Sequence, residues 1–67
     1  MKLNNWELIG DSFYRENIAI EPAYDFYTLY VDGKYIHDFS ITLEEILLKV
    51  ENYLKLDKDE REVFKFI

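Results

Sequence analysis

The sequence predicts an α+β fold, in which a small antiparallel β-meander of three or four strands is covered on one face by an amphipathic helix. Three observations support this prediction: an Asp-Gly pair between runs rich in Tyr, Phe, Ile and Val, an alternating segment upstream of them, and a change to helical periodicity after residue 41. A chain of 67 residues has room for a single small globular domain, expected over residues 1–67.

The strands are predicted from one turn and from alternation. Asp32-Gly33 favours a two-residue hairpin turn, because both central residues of a type I′ turn need a positive φ. Upstream, "FYRENIAI" predicts one further strand, in which one face carries Tyr14, Glu16, Ile18 and Ile20 and the other carries Phe13, Arg15, Asn17 and Ala19. The segment "WELI" predicts a short strand. The predicted strands cover residues 6–9, 13–20, 24–31 and 34–41.

The segment "ITLEEILLKVENYLKL" has apolar residues at the spacing of one helical face, which predicts a helix at about 42–56. Thr42 is a favourable N-cap, and Glu45 three residues later predicts a capping box. The following tail has two interpretations. Asp57 and Glu60 could cap a short C-terminal helix, whereas "EVFKFI" has the composition of an edge strand.

Acidic residues outnumber basic residues in this chain. Fourteen Asp and Glu side chains against eight Lys and Arg give a net charge of −6, and there is no cysteine. This charge repels nucleic-acid phosphates and anionic membranes, so we expect direct binding to neither. No segment has the composition of a signal peptide or membrane span, which predicts a soluble cytoplasmic protein. If charge selects a partner, that partner has a basic surface; alternatively, acidity serves solubility alone.

The sequence contains little that could support catalysis. The single histidine, His37, is followed by Asp38 and Ser40, but alternation in a strand directs His37 away from both. The run from Asp57 to Glu62 begins like a calcium-binding loop, yet Glu62 stands where such a loop requires glycine. The two glycines do not form a phosphate-binding motif. We therefore expect no enzymatic activity, no cofactor and no metal.

The hairpin around Asp32-Gly33 has two faces of different composition. Regular pairing beyond a two-residue turn places Leu29 opposite Ile36. The face assigned to the core then carries Tyr24, Phe26, Thr28, Tyr30, Tyr35, His37, Phe39 and Ile41. The other face, expected to point outward, carries Tyr27, Leu29, Val31 and Ile36, with Asp25 and Asp38 at one end. An apolar centre with a charged rim is typical of a protein contact surface; alternatively, residues 63–67 fold over it.

Further carboxylates on the predicted helix and in the tail could extend this contact surface. Carboxylates spaced along one side of a small domain can stand in for a phosphate backbone and speed association with a basic protein. The candidate partner-binding residues are Asp25, Tyr27, Leu29, Val31, Ile36, Asp38, Glu44, Glu45, Glu51, Asp57, Asp59, Glu60 and Glu62.

In size, charge and expected architecture, the chain resembles phage-encoded inhibitors of host defence nucleases, such as anti-restriction and anti-CRISPR proteins. No motif assigns it to one of those families. The resemblance implies a DNA-mimicking inhibitor that binds a nuclease or another nucleic-acid-binding protein. The alternative is a homo-oligomeric accessory or structural protein, for example a homodimer, in which the predicted outer face meets its own copy across a two-fold axis.

Overall fold

The computed structural model of this chain describes residues 5–67 and contains a five-stranded antiparallel sheet and two helices. The strands lie in sequence order, each paired with the next. This confirms the α+β class, with more strands than the three or four predicted. The elements are β1 (Glu7–Ile9), β2 (Ser12–Arg15), β3 (Ile18–Pro22), β4 (Tyr27–Val31), β5 (Lys34–Phe39), α1 (Leu43–Leu54) and α2 (Lys58–Val63).

The additional strand arises because the segment predicted as one strand over 13–20 is a hairpin. A turn at Glu16 and Asn17 separates β2 from β3, and Glu16 takes a left-handed conformation with φ 52°. This turn is tied to the β4–β5 turn, because the side-chain amide of Asn17 donates a hydrogen bond to the Asp32 carboxylate at 3.0 Å. The polar run Arg15-Glu16-Asn17 is the sequence signal for this turn, and the prediction of a single strand overlooked it. The short strand predicted at 6–9 is confirmed by β1.

The turn between β4 and β5 forms as predicted. Asp32 and Gly33 both have positive φ, 55° and 75°, and the flanking Val31 and Lys34 face each other. The two strands are shorter than the predicted 24–31 and 34–41, because a turn closed by the Ala23 amide donating to the Phe26 carbonyl at 2.8 Å precedes β4.

A β-bulge changes the pairing of this hairpin away from its tip. Tyr30 faces Tyr35, but the next position, Leu29, faces His37, and Ile36 is the extra residue between them. The predicted pairing of Leu29 with Ile36 is therefore wrong. Because side chains alternate along a strand, one extra residue exchanges the faces of β4 relative to the distal half of β5.

Helix α1 forms the core with one face of the sheet. The predicted helix at 42–56 is confirmed, and Thr42 caps it by accepting a hydrogen bond from the Glu45 amide at 3.3 Å. Each fully buried aliphatic side chain in this layer contributes about 1.5–3 kcal/mol. The most deeply buried side chains are Ile18, Ile20, Leu29, Ile46 and Val50.

The C-terminal tail begins with a helix, α2, and residues 64–67 after it form neither a helix nor an edge strand. Asp57 and Glu60 form the reciprocal capping box that starts α2. Arg61 fastens α2 to the end of α1, because it donates to the carbonyls of Leu54 and Leu56 at 3.0 Å each. These two carbonyls lie at the C-terminal end of α1, where no further helical amide can reach them.

Candidate protein-binding face

The apolar residues that were predicted to point outward lie on the covered face of the sheet, whereas Asp38, predicted on the same face, does point outward. Leu29 is 1% exposed and lies opposite the fully buried Ile20 of β3. Tyr27, Val31 and Ile36 also pack against the core. The prediction that these four residues form an outward-facing patch is therefore wrong. The cause is the bulge at Ile36, which turns the odd-numbered residues of β4 toward α1.

The alternative, in which the C-terminal residues cover this face, holds for two of them. Phe66 is buried in the core and Phe64 packs against it. Their rings pack against Tyr53 of α1, with centroid distances of 5.0 and 5.6 Å. Val63 and Ile67 remain exposed.

The opposite face of the sheet, which we call the outer face, presents one side chain from every strand in a single row. Pairing across the sheet runs from Glu7 to Tyr14, from Tyr14 to Ala19, from Ala19 to Tyr30 and from Tyr30 to Tyr35. Directly paired residues of antiparallel strands project on the same face. This tyrosine row (Glu7, Tyr14, Ala19, Tyr30 and Tyr35) therefore lies on the side of the sheet away from α1.

A second row of the outer face consists of two carboxylates and a hydroxyl. Glu21 pairs with Thr28, and Thr28 pairs with Asp38. The Thr28 hydroxyl donates to Asp38 at 2.8 Å, which holds that carboxylate in place. Glu21 and Asp38 are both exposed. This carboxylate row (Glu21, Thr28 and Asp38) lies beside the tyrosine row.

The charges of the strands are divided between the two faces. Glu7, Glu21 and Asp38 project on the outer face, where the residues of β1 to β5 include no lysine or arginine. The basic strand residues lie on the other side: Arg15 pairs with Ile18, and Lys34 pairs with Val31. Arg15 also forms an ion pair with Glu51 of α1. The outer face is consequently negative over its whole width.

Two of the three tyrosine rings on the outer face pack against each other. Tyr30 and Tyr35 meet edge to face, with centroids 6.4 Å apart and planes at 78°. On the other side of Tyr30, Ala19 stands between Tyr30 and Tyr14 in the row, and its side chain is a single methyl group. Tyr35 is 58% exposed, and Tyr14 and Tyr30 are partly buried. Such rings offer a large contact area at low cost in side-chain entropy.

The neighbouring carboxylates raise the pKa of the two phenols that lie edge to face, Tyr30 and Tyr35. The charge of Glu21, followed by partial burial, raises the pKa of the Tyr30 phenol. Desolvation, followed by interaction with Asp38, raises the pKa of the Tyr35 phenol. The raised pKa values therefore matter at alkaline pH, where an ordinary tyrosine begins to lose its proton.

The structure disperses the other predicted acidic site residues. Glu51 is paired with Arg15, and Asp57 and Glu60 cap α2. Glu44 and Glu45 are exposed in the first turn of α1, Asp59 and Glu62 are exposed on α2, and Asp25 is exposed in the turn before β4. Of the predicted carboxylates, only Asp38 lies on the outer face.

Sequence reasoning missed most of the outer face. The tyrosine row and Glu21 were not among the predicted site residues. A signal for two of them is present in "IAIE", where Ile18 and Ile20 alternate with Ala19 and Glu21. Alternation of this kind predicts that the isoleucines are buried and that Ala19 and Glu21 face outward.

An open groove lies on the helix side of the sheet, between the tip of the β4–β5 hairpin and the C-terminal tail. It has a volume of about 890 Å³ and an apolar floor that includes Val31, Ile36 and Phe66. Its rim carries both charges, with Lys58 beside Asp57 among others. The groove therefore presents both positive and negative side chains to a partner, whereas the charged strand residues of the outer face are all negative.

No family model, no curated protein and no solved structure matches this chain. Within residues 5–67, neither helix has the length and apolar character needed to cross a bilayer. Across the same residues, the His, Asp and Glu side chains do not gather in a group of three or more that could hold a metal ion.

Proposed function

We propose that this protein is a non-enzymatic binding protein, and that its outer face occupies a basic surface of a partner protein. The observation that supports the proposal is the composition of that face: three tyrosines and three carboxylates, with no lysine or arginine among its strand residues. Tyrosine is among the residues that dominate binding energies at protein interfaces. The carboxylates add charge complementarity and a faster association rate with a basic partner.

The partner class that fits this charge is a cytoplasmic nucleic-acid-binding protein, such as a nuclease. Its basic surface is built to neutralise phosphates with lysine and arginine. Glu7, Glu21 and Asp38 would occupy that surface in place of the phosphates, so binding would exclude the nucleic acid. The protein would then act as an inhibitor, as the resemblance to phage-encoded inhibitors of host defence nucleases implies.

A homodimer formed through the outer face is the less favoured arrangement. In a two-fold contact each copy presents the same residues, so the carboxylates of Glu21 and Asp38 would face an equally negative surface. Like charges brought together at an interface cost several kcal/mol. The acidity therefore favours a partner of opposite charge over a second copy.

The test is a pull-down from a bacterial lysate with two variants that remove equal charge. Glu21→Gln with Asp38→Asn removes two of the three carboxylates of the outer face, and the amide oxygen of Asn at position 38 can still accept from Thr28. Glu44→Gln with Glu45→Gln removes the same charge from the first turn of α1. Captured proteins are identified by mass spectrometry, and binding is repeated with the purified partner at increasing salt.

We expect the wild type and the α1 variant to retain a nucleic-acid-binding protein at low salt, and the outer-face variant to lose it. Retention should weaken as salt rises, because exposed charges are screened, and an oligonucleotide should displace the protein. Equal retention by both variants, or retention that salt does not change, would contradict the proposal.

A further inference from the structure

The outer face has one position where a planar cation could lie between rings. Ala19 pairs with Tyr14 on one side and with Tyr30 on the other. Neighbouring strands are about 4.8 Å apart, so the backbones of Tyr14 and Tyr30 are about 10 Å apart across Ala19. Because Ala19 has only a methyl group, the row has a gap between these two tyrosines, and we call this gap the notch.

A carboxylate lies at one end of the notch. Glu21 is the next residue after Ala19 on the same face of β3, because alternate residues of a strand share a face. Glu21 is exposed and forms no ion pair within the described residues, and its charge reaches the Tyr30 phenol, whose pKa it raises. The far side of Tyr30 is already occupied by Tyr35 at 6.4 Å, so a ligand reaches Tyr30 from the side of Ala19.

We infer that this notch selects arginine over lysine: the guanidinium group of a partner arginine stacks on Tyr30 above Ala19 and pairs with Glu21. This inference rests on the proposed function, since it names the side chain of the basic partner that the outer face recognises. The small side chain of Ala19 between two tyrosines, together with the adjacent carboxylate of Glu21, distinguishes a guanidinium site from a merely negative surface.

The chemistry of the two cations explains the preference. A guanidinium group is planar, weakly hydrated and able to stack on an aromatic ring while it donates two parallel hydrogen bonds to a carboxylate. A lysine ammonium is compact and strongly hydrated, and it interacts with Glu21 as a point charge. Arginine can therefore stack flat on Tyr30 and form two parallel hydrogen bonds with Glu21 at the same time, whereas lysine offers only a point charge to either group.

The experiment compares two peptides, an oligo-arginine and an oligo-lysine of equal length and charge, titrated into the full chain. Affinity is measured by calorimetry, and the site is located by NMR shifts of backbone amides. We expect the oligo-arginine to bind about tenfold more tightly. The largest amide shifts should lie at Tyr14, Ala19, Glu21 and Tyr30.

Replacing each of two alanines by leucine shows where on the protein the arginine preference arises. Ala19→Leu fills the notch and leaves every charge in place, so we expect the arginine preference to disappear while the oligo-lysine affinity stays within about twofold of wild type. Ala23→Leu is the matched control, because Ala23 is exposed in the turn before β4 and outside both rows. It should retain the full preference.

The outcomes separate this inference from the proposed function. Equal affinities of the two peptides for the wild type would overturn arginine selection and leave a charge-based binding face intact. An undiminished preference in folded Ala19→Leu would overturn the notch as its site. Binding of neither peptide at low salt would overturn the proposed function itself. The wild-type comparison requires no variant to fold.

Discussion

The two faces of the sheet come from the same alternating strands and differ in which apolar residues they use. The covered face is aliphatic at its centre, with Ile18, Ile20 and Leu29 almost fully buried. On the outer face, the same two central strands carry Ala19 and Tyr30, and the carboxylates of Glu21 and Asp38 lie in the neighbouring row. At the centre of the sheet the large aliphatic side chains lie on the covered face, whereas tyrosines occur on both faces because the phenol keeps its hydroxyl in water while its ring packs.

Two substitutions on adjacent residues of β4 should show this difference most strongly. Leu29→Lys places a charge where the side chain is 1% exposed, so we expect loss of cooperative unfolding in thermal and urea melts followed by circular dichroism. Even Leu→Ala at a buried site costs about 2–5 kcal/mol, which is comparable to the whole stability of so small a domain. Tyr30→Lys on the outer face should fold, and an unfolded Tyr30→Lys would contradict the assignment of the two faces.

The C-terminal cover of the core is the next largest expected effect. Phe66 is 7% exposed and packs on Tyr53, so Phe66→Ala should reduce the free energy of unfolding by about 3–5 kcal/mol. Its neighbour Ile67 is 77% exposed, and Ile67→Ala should change stability by no more than about 0.5 kcal/mol. Similar urea midpoints for the two variants would show that the tail does not cover the core.

The ion pair between the covered face and α1 should have a smaller effect. Arg15→Met keeps most of the apolar stem but removes the charge that pairs with Glu51. We expect a loss of about 1 kcal/mol in urea unfolding, decreasing as salt is added. Lys55→Met removes an exposed charge after α1 and is the matched control. A loss from Lys55→Met as large as that from Arg15→Met would argue against a specific pair.

The smallest effect concerns the phenols of the outer face at alkaline pH. The raised pKa values of Tyr30 and Tyr35 mean that the folded state holds protons that the unfolded state releases near pH 10. Above about pH 10 the unfolded state therefore binds fewer protons, so stability falls as the pH rises.

Replacing both phenols should remove part of this decrease. We expect Tyr30→Phe with Tyr35→Phe to lose less stability than the wild type between about pH 9 and 11, measured by urea unfolding. Tyr24→Phe, in an exposed turn, is the matched control and should follow the wild type. Parallel stability profiles for the double variant and the wild type would contradict the prediction.

The sequence by itself determined the local features of this fold. Asp32-Gly33 specifies its turn because few residue pairs tolerate positive φ at both positions. Thr42 starts α1, and Asp57 with Glu60 starts α2, because their side chains satisfy the free amides at the helix ends. These interactions span at most three residues, so a linear sequence contains everything needed to recognise them.

Tertiary structure decided which side chains face outward. Phe39 was correctly assigned to the core, but following its face across the hairpin without the bulge placed Tyr30 inside and Leu29 outside. With the bulge at Ile36, Tyr30 lies on the outer face and Leu29 lies on the covered face, where it pairs with Ile20. Side chains alternate between the two faces of a strand, so one unpaired residue moves all the residues beyond it to the opposite face. Only packing against other elements selects the position of that unpaired residue.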